Sequence, residues 1–150
     1  MTVNGVVTER QFMATDVNDI VHTVVGSSRS YLSEKTVITV ETCGDLPYIR
    51  GNQERLTDVL TALLFRAQRS IAIAARTTAM IRIRTGATEG EVRLNLSDDG
   101  SHAGIGETVA PGLCLGLTEC AEIISDHGGR MYSWRPYAGG ASYTITLPAL

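Results

Sequence analysis

The sequence predicts an α/β fold, a two-layer sandwich in which a mixed, mostly antiparallel sheet is covered on one face by three helices. Three observations predict it. Segments with helical spacing and segments with strand spacing are mixed along the chain, as that architecture requires. Residues 79 to 85 and 91 to 97 set arginines against aliphatics (Ile81, Arg82, Ile83, Arg84; then Val92, Leu94, Leu96), the pattern of a sheet with one wet face. Leu56, Val59, Leu60, Leu63, Leu64, Ala67 and Ile71 form the strongest amphipathic stripe in the chain, a helix with one face to bury.

The elements follow in order. Residues 1 to 15 have no clear period and read as a linker or a loosely held first strand. Asp16 can cap a helix in which Val17, Ile20, Val21, Val24 and Val25 recur at helical spacing through about Leu32. Residues 36 to 42 alternate and are β-branched, a strand ending at the Gly44-Asp45 turn. Asn52 can cap the helix that carries the long stripe. After it come the two arginine-bearing strands, joined by a turn over residues 86 to 90. Residues 98 to 112 read as loop, and residues 113 to 126 as a helix stopped by Gly128-Gly129. Residues 130 to 135 and 142 to 147 close as a hairpin around Ala138-Gly139-Gly140.

The chain has 150 residues, enough for one domain with one substantial core, here assigned to residues 16 to 150. With 43% hydrophobic and 19% charged residues the composition is that of an ordinary globular protein. A net charge of −3, with the arginines scattered, argues against a general nucleic-acid binder. Cys43, Cys114 and Cys120 form no CxxC pair and leave one thiol over in any disulfide scheme, which favours a reducing compartment. His22, His102 and His127 are too dispersed to suggest zinc. No stretch reaches the apolar length of a membrane span, and no signal-peptide core is seen, so a cytoplasmic location is expected.

The most informative pattern is Asp98-Asp99-Gly100, followed by Gly112-Leu113-Cys114-Leu115-Gly116-Leu117 and then His127-Gly128-Gly129. A carboxylate at the end of an apolar strand, followed by glycine, lets the chain turn and bring its backbone against a flat ligand. A glycine-rich turn opening a helix offers free N–H groups to phosphate. Together they read as two halves of a nucleotide pocket.

Upstream, Leu46-Pro47 leads through a small turn into Arg55-Leu56, Val59-Leu60, Leu63-Leu64 and Ala67. With these residues in this order, and with Tyr143-Thr144-Ile145-Thr146-Leu147-Pro148 as closing strand, the chain resembles the ATP-binding catalytic domain of sensor histidine kinases. That domain belongs to the histidine kinase-like ATPase family, with gyrase, Hsp90 and the MutL proteins, and has a Bergerat-type ATP-binding fold. The resemblance spans about residues 16 to 148. It implies that Asp98 accepts a hydrogen bond from the adenine amino group, with Gly100 and Gly104 lining the base. Such a carboxylate selects adenine over guanine, which presents a carbonyl where adenine presents a donor. Gly112, Leu113, Cys114, Leu115 and Gly116 would form the phosphate turn, and ATP or ADP the ligand. Asp99 is expected to point the other way.

The sequence departs from the family on the phosphate side. The asparagine that holds magnesium in the family corresponds to Arg66, and a second polar position one turn earlier is Ala62. Magnesium takes oxygen ligands, so Mg2+ binding is not expected. A guanidinium about 4 Å from the ion would cost roughly 4 kcal/mol per unit charge at a surface-like dielectric. Arg66 is instead expected to reach phosphate directly, with Arg69 on the same helix face. Only residues 105 to 111 separate Gly104 from Gly112, a short lid, and Cys114 replaces a glycine of the phosphate turn.

No phosphoacceptor pattern surrounds His22, which reads as a helix-surface residue. His127 reads as part of the helix-ending turn, and His102 as a solvated loop residue. The resemblance therefore implies one of two functions. The first is γ-phosphoryl transfer to a histidine on another domain, from a degraded Mg-phosphate site. The second is a non-catalytic pseudokinase or phosphorelay adaptor that docks a response regulator or kinase. An anti-sigma-type serine kinase shares the fold, but its metal-binding asparagine is not found here. The partners implied are a histidine-bearing helical hairpin or a response regulator, and a homodimer through a parent chain. No nucleic acid and no membrane contact is implied.

Overall fold

A computed structural model describes residues 2–3, 6–7, 12–29, 36–74, 79–99, 116–134 and 141–150, with backbone alone for 2–3, 6–7, 69–74 and 79. The opening stretch carries more pairing than its sequence suggests. β1 (Thr2–Val3) and β2 (Val6–Val7) pair antiparallel, and β3 (Met13–Thr15) is a strand in its own right. α1 (Val17–Ser28) begins at Asp16, whose Oδ1 accepts the Asn18 N–H at 2.9 Å, satisfying a donor that a helix start leaves unmatched. Its buried face is Val17, Ile20, Val21, Val24 and Val25, the stripe read from the spacing.

β4 (Thr36–Glu41) follows, then β5 (Ile49–Gly51), which pairs antiparallel with β3. No expectation covered β5: three residues are too few to show a period, and the pairing with β3 alone defines it. Asn52 caps α2 (Gln53–Ala74), its Oδ1 accepting the Arg55 N–H at 3.0 Å. Leu56, Val59, Leu60, Leu63, Leu64 and Ala67 are all buried, and each leucine removed from water contributes about 1.5–3 kcal/mol. Ile71 lies where side chains are not described.

β6 (Ala79–Thr88) and β7 (Glu91–Asp98) form a long antiparallel hairpin, and α3 (Leu117–Asp126), β8 (Arg130–Trp134) and β9 (Ser142–Pro148) complete the chain. The expected turn over 86 to 90 is shorter than predicted. β6 continues to Thr88, Gly86 stands opposite Arg93, and only Glu89 and Gly90 turn, with Gly90 at φ +72°. A glycine takes that left-handed conformation without the penalty a Cβ brings. The sheet order is β4-β6-β7-β9-β8, parallel at β4–β6 and antiparallel elsewhere.

Period-two alternation divides the sheet. Ile81, Ile83, Val92, Leu94, Leu96, Tyr143, Ile145 and Leu147 form the inner face against the three helices. A polar link closes one end of that interface. Asn18 Nδ2 donates to the Cys43 carbonyl at 2.8 Å, Thr85 Oγ1 donates to Asn18 Oδ1 at 2.7 Å, and the Cys43 N–H donates to Thr85 Oγ1 at 2.9 Å. No helix among the described residues is long and apolar enough to cross a membrane.

Candidate functional site

Asp98 is the last residue of β7, and the alternation that turns Leu94 and Leu96 toward the helices turns Asp98 the same way. It is 9% exposed, and its N–H donates to the Ala141 carbonyl at 3.0 Å, tying this strand end to the start of β9. Asp99 points to the other side. Its Oδ1 accepts the Met80 N–H at 2.9 Å and its own N–H donates to the Met80 carbonyl at 3.2 Å. One carboxylate is thus directed at the interior and its neighbour is used to end a strand pair.

Arg66 interrupts the apolar surface of α2 and is 4% exposed. Its Nε–H donates to Tyr143 Oη at 3.4 Å, long for a hydrogen bond. Tyr143 stands opposite Leu96, two residues before Asp98, so Arg66 and Asp98 belong to the same end of the inner face. Tyr143 is a neighbour that sequence spacing does not reveal, because 77 residues separate it from Arg66. Ala62 is fully buried, so neither α2 position equated with the family's metal-facing residues presents an oxygen donor.

The direction of the chain brings α3 to this end as well. α3 returns into β8 through His127, Gly128 and Gly129, β8 is antiparallel to β9, and β9 is antiparallel to β7. The start of α3 and the end of β7 therefore share one side of the sheet. Gly116 precedes the helix, and Glu119 Oε1 lies 3.5 Å from its N–H. That carboxylate already complements the positive helix end, and a phosphate drawn there meets its charge. A Glu three residues after the cap position was its sequence signal. Gly100, His102, Gly104, Gly112, Leu113, Cys114 and Leu115 lie outside the described residues, as does the side chain of Arg69. Cys43 and Cys120 form no disulfide, Cys120 is buried in the core, and His22 is exposed on α1.

The opposite end of the sheet is organised by His127, which is 7% exposed. Its Nδ1 lies 2.7 Å from the Ile123 carbonyl, and its Nε2 accepts the Asn52 N–H at 3.0 Å. Both contacts are made by a neutral ring protonated at Nδ1. Burial is the main cause holding its pKa below the ordinary 6.5, with Arg55 adding to the effect. Gly128, at φ +74°, and Gly129 donate to the Ser125 and Ile124 carbonyls at 2.8 and 2.9 Å, a glycine-terminated helix end. Beside it an open pocket of about 340 Å³ is lined by Phe12, Arg50, Asp126, His127 and Pro148.

No protein-family profile and no curated protein matches this chain. Solved structures do. The nucleotide-free catalytic domain of histidine kinase ThkA superposes with a TM-score of 0.73 at 21% identity, covering 92% of this chain and 95% of that one. The mycobacterial sensor histidine kinase MprB gives 0.73 at 17% identity over 91% of this chain and 98% of its own. AdeS, a histidine kinase of Acinetobacter baumannii, gives 0.73 at 19% identity over 92% and 67%. A further structure is of ThkA in complex with the response regulator TrrA, with a TM-score of 0.71 at 19% identity over 93% and 42%. This chain has the fold of histidine kinase catalytic domains.

Proposed function

We propose that this chain is the ATP-binding-type domain of a two-component sensor histidine kinase whose adenine half is retained and whose Mg-phosphate half is degraded. The observation that carries the reading is the inward carboxylate of Asp98, 9% exposed, at the sheet end where α3 begins. Asp98 selects adenine through its amino group. Gly100 and Gly104 line the base, and the turn from Gly112 to Gly116 approaches the phosphates, with Leu113, Cys114 and Leu115 between them. Magnesium has no oxygen ligand at Ala62 or Arg66, so nucleotide binding is metal-independent and phosphoryl transfer by this domain is weak or lost. The partner in this reading is a histidine-bearing helical hairpin or a response regulator, the kind of protein seen with ThkA.

Burial of Arg66 favours a second reading. A guanidinium 4% exposed and bonded to Tyr143 is held as part of the interior, which suits a non-catalytic docking module of the phosphorelay.

Calorimetric titration with ADP and a non-hydrolysable ATP analogue, with and without magnesium, separates the two. The first reading expects binding that ignores magnesium, that weakens about tenfold or more in Asp98→Asn, and that becomes magnesium-sensitive in Arg66→Asn. Magnesium-dependent binding by the unaltered chain would overturn the degraded site. Absence of any binding would leave the docking module.

A further inference from the structure

His127 is a buried titratable side chain to which the nucleotide reading gives no part. It stands where several segments meet. Its ring centroid lies 4.7 Å from that of Phe12, just ahead of β3, and a Cβ on Gly51, the last residue of β5, would stand 3.2 Å from its Cδ2. Glycine at 51 lets the ring approach that strand closely. Its Nδ1 is 2.7 Å from the Ile123 carbonyl of α3, and its Nε2 accepts the N–H of Asn52, the residue that caps α2, at 3.0 Å. One imidazole therefore joins the end of α3 to the junction of β5 and α2.

A proton acts differently on the two ring contacts. Nδ1 carries its hydrogen, and keeps its bond to Ile123, in either charge state. Nε2 accepts only while it is bare; once protonated it is a donor, and two N–H groups then face each other across 3.0 Å. The surroundings favour the neutral ring: burial acts first, and Arg55 on α2 adds repulsion, opposed by the Ile123 carbonyl and by Asp126 on α3. Asp126 is itself bonded to Arg55 at 3.2 Å. Arg50 of β5, whose guanidinium lies 5.6 Å from the Phe12 ring, and Leu150 line the same pocket, while Phe12 and Pro148 bring no charge to it. That pocket is open, so water reaches the ring.

We propose that His127 is an acid-operated latch: a proton taken from water at Nε2 breaks its bond to Asn52 and frees the β5–α2 junction from the end of α3, while the rest of the core stays packed. The opening is bounded by the start of β5. Ile49 is 1% exposed and its backbone is bridged to Ala149, and the Leu150 N–H donates to the Tyr48 carbonyl at 2.7 Å, so the strand stays fastened there. The released part is short: Gly51, Asn52 and the first turn of α2, with Phe12 losing its contact to the ring. Thr15 Oγ1 lies 3.1 Å from the Gly51 carbonyl, so the end of β3 follows. Histidines kept neutral by their contacts serve as switches below neutral pH because one proton reverses the role of a ring nitrogen. The inference does not rest on the nucleotide reading, although α2 is also the helix that carries Arg66.

Hydrogen exchange of the Asn52 amide reads the latch directly, since that N–H is the one His127 accepts. It is followed in the intact protein between about pH 7.5 and 5, with rates corrected for the intrinsic pH dependence of exchange. The opening constant is expected to be level above 6.5, then to rise by up to about tenfold per pH unit until the ring itself titrates, which the His127 ring resonance reports. The rise is expected to vanish in His127→Gln. It is expected to shrink in Arg55→Gln, which removes a repelling cation and leaves Asp126 to hold the charged ring. Low concentrations of urea are expected to speed exchange at Leu94, inside the sheet, and to leave Asn52 almost unaffected. A level opening constant across the whole range, an equal rise in His127→Gln, or no change in Arg55→Gln would overturn the proposal. So would an Asn52 opening constant and urea response equal to those of Leu94, which would mean that the bond breaks only when the domain unfolds. The urea comparison and Arg55→Gln decide the matter if His127→Gln does not fold.

Discussion

The two ends of the sheet are built on different terms. At the end where α3 turns into β8, the turn is held by scaffold devices: a neutral histidine with both ring nitrogens used, and two glycines closing the helix. At the other end, two strong polar groups are held inside: Asp98 faces the helices and Arg66 is buried against Tyr143, while exposed Glu119 sits at the start of α3. The turn end has no room for a larger residue, since a Cβ on Gly129 would overlap the Thr146 carbonyl oxygen. The scaffold end carries His127-Gly128-Gly129, and the other end carries a buried arginine on α2.

That contrast can be broken or sharpened by measurement. The largest effect is expected for Gly129→Ala, whose new Cβ would overlap the Thr146 carbonyl oxygen and crowd Leu147 and Ile124. We expect a loss of about 3 kcal/mol in denaturant unfolding, and a cost under about 1 kcal/mol would show that the turn has slack. His127→Ala comes next, at about 2 kcal/mol, because the Asn52 N–H loses its acceptor inside the protein. Tyr143→Phe removes a single long bond to Arg66 and should cost about 1 kcal/mol. Should Tyr143→Phe prove more damaging than His127→Ala, the polar end would be the structural one and the comparison would invert. Asp16→Ala, which removes the α1 cap, is expected to cost about 1 kcal/mol and calibrates the series.

Acidity offers a further test of the scaffold end. Folding lowers the pKa of His127 below 6.5, so between those two values the unfolded chain carries more protons and stability rises with pH. The contribution of the neutral ring is complete above 6.5 and is lost as pH falls through the lowered value. Unfolding free energies for the parent and for His127→Gln, measured across this window, should differ in slope, the parent being steeper. Parallel curves would show that His127 titrates normally.

Much of the fold could be read before any coordinates. The caps at Asp16 and Asn52, the stripe on α2, the wet and dry faces of β6 and β7, and the opposite orientations of Asp98 and Asp99 all follow from rules that act within a few residues. The short β5 is not legible because three residues hold no period, and the β6–β7 turn reads as wider than it is because Gly86 has the character of punctuation inside a strand. Asp98 at the end of its strand and Arg66 on the amphipathic helix were legible as residues to single out. Tyr143 as the neighbour of Arg66 was not, since nothing near either residue in the chain points to the other.

The sequence by itself determined where helices begin, which faces are apolar and which carboxylate turns inward, because each depends on local geometry repeated at a fixed period. Only the tertiary structure decided that Asn52 donates to a histidine 75 residues away, that Arg66 is enclosed beside Tyr143, and that arginines from three strands share one face of the sheet. Those arrangements are set by strand order and register, which join distant parts of the chain through the whole core.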